Sequence, residues 1–99
     1  MRIISKKALK EFWEKHRDAE EPLMNWHKIT ARAEWQNLAE VKQAFPHADL
    51  VGQCTIFNIH GNDYRLITKI RYQWQMVYIR FVLTHAEYDR GGYANDCDA

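Results

Sequence analysis

Two stretches of this chain carry residues whose types and spacing could move a proton beside a phosphate. Residues 84–89 read Thr-His-Ala-Glu-Tyr-Asp, so His85 and Tyr88 stand three apart and share one side of a helical turn. Histidine is the side chain best matched to proton transfer near neutral pH, and a tyrosine can hold or relay a proton. Arg65 and Arg80, upstream, could stabilise the charge of a pentacoordinate phosphorus. Such a set could cleave RNA without a metal: a base activates the 2′-hydroxyl and an acid protonates the leaving 5′-oxygen. The same residues also read as a plain helix start. Thr84 with Glu87 three positions on has the spacing of a capping box, and His85, Glu87 and Asp89 would then only cap and anchor the helix.

The second stretch is basic and aromatic. Between positions 64 and 80 stand Arg65, Lys69, Arg71 and Arg80 with no acid, whereas acids crowd into residues 11–40 and 87–98. Overall, 14 Lys and Arg face 13 Asp and Glu, a formal charge of +1, so only the distribution of charge argues for a polyanionic partner. Cations that hold phosphates, beside rings that stack on bases, suit single-stranded nucleic acid. The alternative is an ordinary solvated face, since antiparallel sheets normally show cations and tyrosines to water.

The elements that must position these groups follow from periodicity. A short apolar start, residues 1–4, reads as a strand. Ser5 can cap a helix whose Leu9, Phe12, Trp13 and His16 fall at i, i+3, i+4 and i+7. Pro22 suits the first turn of a second helix with Leu23, Trp26, Thr30 and Ala33 inward. Asn37 and Glu40 resemble a capping box for a third helix, with Leu38, Val41, Ala44 and Phe45 inward, which Pro46 stops. Then the period changes. Residues 54–59, 64–72 and 76–83 read as strands joined by the turn His60-Gly61-Asn62-Asp63 and by residues 73–75, an antiparallel meander. Helices first and strands second predict an α+β domain with helices packed on one sheet face.

Strict alternation assigns Val77, Ile79, Phe81 and Leu83 to one face, and Met76, Tyr78, Arg80 and Val82 to the other. In the middle strand it sets Leu66, Thr68 and Ile70 against Arg65, Ile67, Lys69 and Arg71. The greasier sets meet the helices, so Arg65, Lys69, Arg71, Tyr78 and Arg80 are expected to converge on the open face.

Composition bounds the rest. Hydrophobic residues at 46% and charged at 27% fit one globular domain and exclude disorder. No run approaches a membrane span, and the opening residues lack the apolar block of a signal peptide, so a cytoplasmic protein without a membrane partner is expected. Cys54 and Cys97 form no metal-ligand pattern, and a disulfide is unusual in the cytosol, so both are expected to be ordinary thiols, with no metal and no cofactor. Trp13, Trp26 and Trp35 sit at helical spacing and read as core. Trp74, in a turn, could contact RNA, ribosome or a protein partner. His16, His27 and His47 read as surface or boundary groups, and His60 alone lies near the chemistry-bearing residues.

IISKKALKEFWEKH at residues 3–16, FPHAD at 45–49, and above all FNIHGNDYRLI at 57–67 leading to YIRFVLTHAEYD at 78–89 resemble the HigB toxins of type II toxin–antitoxin systems, a branch of the RelE-like mRNA interferases. The resemblance covers residues 1–90 as one domain. Residues 91–99 match nothing and are expected to be a flexible tail. It implies a RelE-like fold, with N-terminal helices on a small, mainly antiparallel sheet and a short C-terminal helix. It implies an endoribonuclease that cuts mRNA held on a translating ribosome. A HigA-like helix-turn-helix antitoxin would neutralise it, and their complex would bind operator DNA. In YRL, Arg65 resembles the family's strand arginine that holds the scissile phosphate. Arg80 in YIRFV resembles the second, for transition-state charge or the leaving group. His85 and Tyr88 are the resulting candidates for general base and acid, and Lys69, Arg71, Tyr78 and Trp74 for RNA contact. Asn62 would shape the turn before the strand. A non-catalytic RNA- or ribosome-binding inhibitor, and a degenerate toxin kept as an antitoxin partner, use the same surface.

Overall fold

Apolar spacing in the first half builds a helical layer. In a computed structural model that describes residues 1–98, β1 (Arg2–Ile4) leads into α1 (Lys6–Lys15), a 3-10 turn (Arg17–Ala19), α2 (Glu20–Arg32) and α3 (Leu38–Ala44). Leu9 and Trp13 of α1 and Leu23, Trp26 and Thr30 of α2 are buried, as their spacing predicts. Three expected stripe residues fall just outside their helices, Phe45 among them as the C-cap of α3. His16 is the C-cap of α1, stacked on Phe12 at 4.4 Å, and Ala33 is extended, with its carbonyl accepting from the N-terminal ammonium. Asn37 caps α3, its side chain accepting from the Glu40 N–H at 3.0 Å. The Glu40 carboxylate accepts from the Gln36 N–H at 2.9 Å, one residue short of a full capping box.

The second half is a five-stranded sheet in the order β1-β5-β4-β3-β2, with β2 (Asp49–Val51), β3 (Cys54–Ile59), β4 (Tyr64–Arg71) and β5 (Met76–Thr84). The meander β3-β4-β5 is antiparallel, and β1 joins the outer side of β5 in parallel. His60 and Gly61, with φ of 53° and 63°, both take the left-handed conformation that suits a tight hairpin. Tyr72–Trp74 forms a 3-10 turn rather than strand, closed by Gln75 at φ 54°. The Gln75 amide donates to the Trp35 carbonyl at 2.8 Å and the Tyr72 carbonyl at 3.0 Å, which holds that conformation.

Strict alternation fails in β5. Ile67 pairs with Phe81 but Thr68 pairs with Ile79, so Arg80 is an extra residue, a β-bulge. Val77 and Ile79 face the helices with Ile70, but beyond the bulge Val82 continues that face and Leu83 joins the other. The expected set of Val77, Ile79, Phe81 and Leu83 on one face is therefore corrected: the bulge swaps parity halfway along the strand.

The face away from the helices is not open either. After β5 come α4 (His85–Asp89) and α5 (Ala94–Asp98), and Cys97 is joined to Cys54 in a disulfide. Both cysteines are fully buried in a second small core with Ile56 and Ile67, flanked by Val51, Leu83, Tyr88 and Tyr93. The expectation of free thiols is overturned, because Cys54 and Cys97, far apart in sequence, meet across this face. Among the described residues, no helix is long and apolar enough to cross a membrane.

The main core holds one internal test. The Thr30 hydroxyl is buried without a hydrogen-bond partner. Thr30→Val keeps its shape and removes the unpaired group, so it should raise stability by about 1 kcal/mol. Leu9→Ala, which empties a fully buried site, should cost about 2–5 kcal/mol. Denaturant midpoints with unchanged m-values check both.

Candidate nucleic-acid interface

β4 is the central strand of the meander, and it carries Arg65 into a place where a charge must be paired. Only 8% of Arg65 is exposed. Its guanidinium donates to the Asn62 carbonyl at 3.0 Å, to the Tyr64 carbonyl at 3.1 Å and to the Asn62 side-chain oxygen, and it lies 5.1 Å from the centre of the Tyr88 ring. Asn62 is thus more than a turn former: three residues before Arg65, it fixes the guanidinium. A cation held this way is preorganised, and its remaining N–H groups can meet an anion without reorganising.

The local sequence also explains α4. The Thr84 hydroxyl accepts from the Glu87 N–H at 3.2 Å and the Glu87 carboxylate accepts from the Thr84 N–H at 2.9 Å, a complete capping box. These bonds hold the Glu87 carboxyl below the usual range, so Glu87 is committed to capping. The backbone N–H of His85 donates to the Asp63 carbonyl at 2.9 Å, tying α4 to the turn that precedes Arg65. The His85 Nε2 lies 3.2 Å from Asp89, so the carboxylate can orient the imidazole, which stays 47% exposed.

The remaining cations do not converge on one point. Arg65, Ile67, Lys69 and Arg71 form a row along β4 that is about 20 Å long at the usual strand rise. Arg80 donates two hydrogen bonds of 2.8 Å to the Asp96 carboxylate, and Lys69 is 3.8 Å from the same group. Arg80 in turn holds the Asp96 carboxyl below the carboxylate range. Arg71 is exposed at the far end of the row. Tyr78 pairs with Lys69 in register, its hydroxyl 3.5 Å from the Met76 sulfur, and Trp74 stands 65% exposed on the 3-10 turn. The structure therefore brings Arg65, Asn62 and Tyr88 together, with His85 on the same short helix as Tyr88. It sets Arg80 and Lys69 in a second group around Asp96, and leaves Arg71 and Trp74 at the other end.

Asp96 and Tyr93 were missed by sequence reasoning because nothing in the local pattern of the last residues places them on the sheet. Tyr93 stacks on Tyr88 at 4.8 Å with the planes 9° apart. A third grouping lies at the β3–β4 turn. Asp18, His60 and Asp63 offer ligand atoms within 4.8 Å of one another, all exposed, with His60 Nδ1 already 2.7 Å from Asp63. His60 also borders an open cleft of about 540 Å³ between the 3-10 turn after α1, α2 and this hairpin, lined by Arg17, Asp18, Glu21, Pro22 and Asn25. None of the expected site residues lines that cleft.

Two tyrosines report on these contacts. Tyr64 is pushed up to about 12 by its hydrogen bond to Asp18 and by burial, and Tyr93 to about 12 by its hydrogen bond with Tyr88 and by burial. In both the fold favours the neutral phenol. That stabilisation is complete below the ordinary tyrosine range near pH 10 and is lost as pH rises from there towards 12. Ultraviolet absorbance titration should show Tyr64 and Tyr93 ionising last. Tyr64→Phe should remove one of these late steps and leave the other.

Comparison with known proteins gives a consistent result. A family model described as "HigB_toxin, RelE-like toxic component of a toxin-antitoxin system" matches residues 19–91. The mRNA interferase toxin HigB of Escherichia coli K12 is 32% identical over 92 residues, covering 90% of this chain and 88% of that protein. The mRNA interferase HigB of Shigella flexneri is also 32% identical, over the same shares. The mRNA interferase HigB of Escherichia coli O6:H1 is 25% identical over 93 residues, covering 91% of this chain and 90% of that protein.

Proposed function

The chain belongs to the HigB toxin family, the RelE-like toxic components of toxin–antitoxin systems, and we propose that it is an endoribonuclease that cleaves mRNA on the translating ribosome in the cytoplasm. The observation that carries this reading is Arg65, a nearly buried cation fixed by Asn62 and Tyr64 against the Tyr88 ring, beside a helix that presents the His85–Asp89 pair.

In this reading Arg65 grips the scissile phosphate and stabilises the charge that builds on it. His85, oriented by Asp89, and Tyr88 are the base and acid for 2′-hydroxyl attack and 5′-oxygen departure, without a metal. Arg80, Lys69, Arg71, Tyr78 and Trp74 hold the strand on either side of the cut, with cations on phosphates and rings on bases. A HigA-like helix-turn-helix antitoxin covers this surface to neutralise it, and the complex binds operator DNA.

Induced expression in a bacterial host with primer extension across an abundant message tests this. The wild type should arrest growth and create new 5′ ends. Arg65→Ala should lower cleavage by about 10²–10³-fold while remaining folded, and Arg65→Lys should not restore it, since a point charge lacks the fork that meets Asn62 and phosphate together. Arrest without new 5′ ends would replace the nuclease with an inhibitor acting by occupancy. A folded wild type with neither effect would leave an antitoxin-binding partner only.

A further inference from the structure

The groups that the RNA reading needs are already occupied by the chain itself. Asp96 presents both carboxylate oxygens to Arg80, at 2.8 Å each, and lies 3.8 Å from Lys69. A carboxylate meeting an arginine fork this way has the geometry of a phosphate on the same fork. Just before α5, Tyr93 lies flat on Tyr88, whose ring carries Arg65. The C-terminal segment therefore touches both cationic groups of the basic face.

What keeps it there is mainly the link to β3. A five-residue helix has no stability of its own in water. Its anchor is the Cys54–Cys97 disulfide, supported by the Gln53 N–H donating to the Cys97 carbonyl at 2.7 Å. The corner before β3 is shaped to receive it: at Gly52, with φ +57°, a Cβ would come within 2.5 Å of the Cys97 carbonyl oxygen. The segment departs from the body through Gly91 and Gly92, where an added Cβ would meet nothing within 4 Å. With the disulfide closed, Asp96 competes with any ligand from within the molecule, at the high effective concentration of a tether. Cut free, the same carboxylate would hang on a glycine-hinged strand.

We propose that residues 91–98 form a redox-latched mimic of substrate: in the disulfide form Asp96 fills an anion subsite made by Arg80 and Lys69, and reduction of Cys54–Cys97 releases α5 and opens that subsite to a phosphodiester of single-stranded RNA. The identity of the anion as RNA rests on the function proposed above. The step balances with a dithiol reductant. Both sulfurs are buried, so the attack follows local opening of α5. One thiolate of the reductant attacks a protein sulfur, the S–S bond breaks, a mixed disulfide forms and is resolved by its second thiol, and two electrons and two protons pass to the protein to give two cysteine thiols and an oxidised reductant. In the cytoplasm, where the function proposed above places the protein, disulfides are usually transient or redox-sensing, which fits a latch better than a permanent staple.

The test compares oxidised and dithiothreitol-reduced protein for binding to a short 2′-O-methylated single-stranded RNA, which cannot be cleaved, by fluorescence anisotropy. Hydrogen exchange at residues 94–98 is followed in parallel. Reduction should raise RNA affinity at least tenfold and abolish protection in α5, and Cys97→Ser should reproduce both without reductant. Asp96→Ala leaves the disulfide in place, so its result does not depend on the reduced form staying folded; it should give most of the same gain in the oxidised protein. Equal RNA affinity of the oxidised and reduced forms overturns the proposal, as does an oxidised Asp96→Ala protein that binds no better than the oxidised wild type. A gain in binding on reduction with no new 5′ ends in message in either redox state would keep the latch and remove the nuclease.

Discussion

Everything in this molecule is arranged around a central strand with cover on both faces. β4 is flanked by β3 and β5, and its side chains enter the helical core on one side and the disulfide-centred core on the other. In such a strand a nearly buried charge needs hydrogen-bond partners, because leaving it without them costs several kcal/mol, roughly. Arg65 meets that condition through Asn62, the Tyr64 carbonyl and the Tyr88 ring. The hairpin turn supplies Asn62 and α4 supplies Tyr88, so both elements converge on that one guanidinium.

The β5 bulge solves a second problem. A nine-residue strand in perfect alternation would have sent Phe81 and Leu83 into the helical core and Val82 away from it. One extra residue at Arg80 reverses this. It gives the helical side Val82, gives the other side Leu83 to pack with Ile67, and leaves Arg80 facing the segment that carries Asp96. Such irregularities recur beside functional sites because they re-aim a side chain without breaking the sheet. Here the re-aimed side chain is a cation, and the partner it meets is the chain's own carboxylate.

Cations gathered on one sheet face repel one another unless their charge is answered. Several of these cations are answered internally: Arg65 by carbonyls and an amide, Arg80 and Lys69 by Asp96. Carbonyls and amides lend no net charge, so Arg65 keeps its full attraction for an anion. Asp96 does cancel charge, and it sits on a short helix held by a bond that chemistry can reverse. That difference separates the fixed part of the surface from the part that can change.

The sequence by itself determined the three N-terminal helices, the β3-β4-β5 meander and the start of α4, and with them where the candidate residues lie along the chain. Apolar periods of 3.6 and then 2, the Asn37 and Thr84 caps, the His60-Gly61 turn and the Pro46 stop are local signals, and local backbone physics places them. The family was legible too, in FNIHGNDYRLI and YIRFVLTHAEYD, as was the role of Thr84 and Glu87 as a cap. Tertiary structure alone decided the rest. The bulge at Arg80 is set by how β5 must pair with β4 and cannot be read from either strand. Asn62 could be read as a turn residue, but its grip on Arg65 depends on how the side chains return over the hairpin. The Cys54–Cys97 bond, the Tyr93–Tyr88 stack and the Asp96 clamp join residues from distant parts of the chain, or residues close in sequence only after the chain has turned back on itself. Periodicity reports which side of an element is apolar, but not which distant segment will cover it, and here that cover comes from the last residues of the chain.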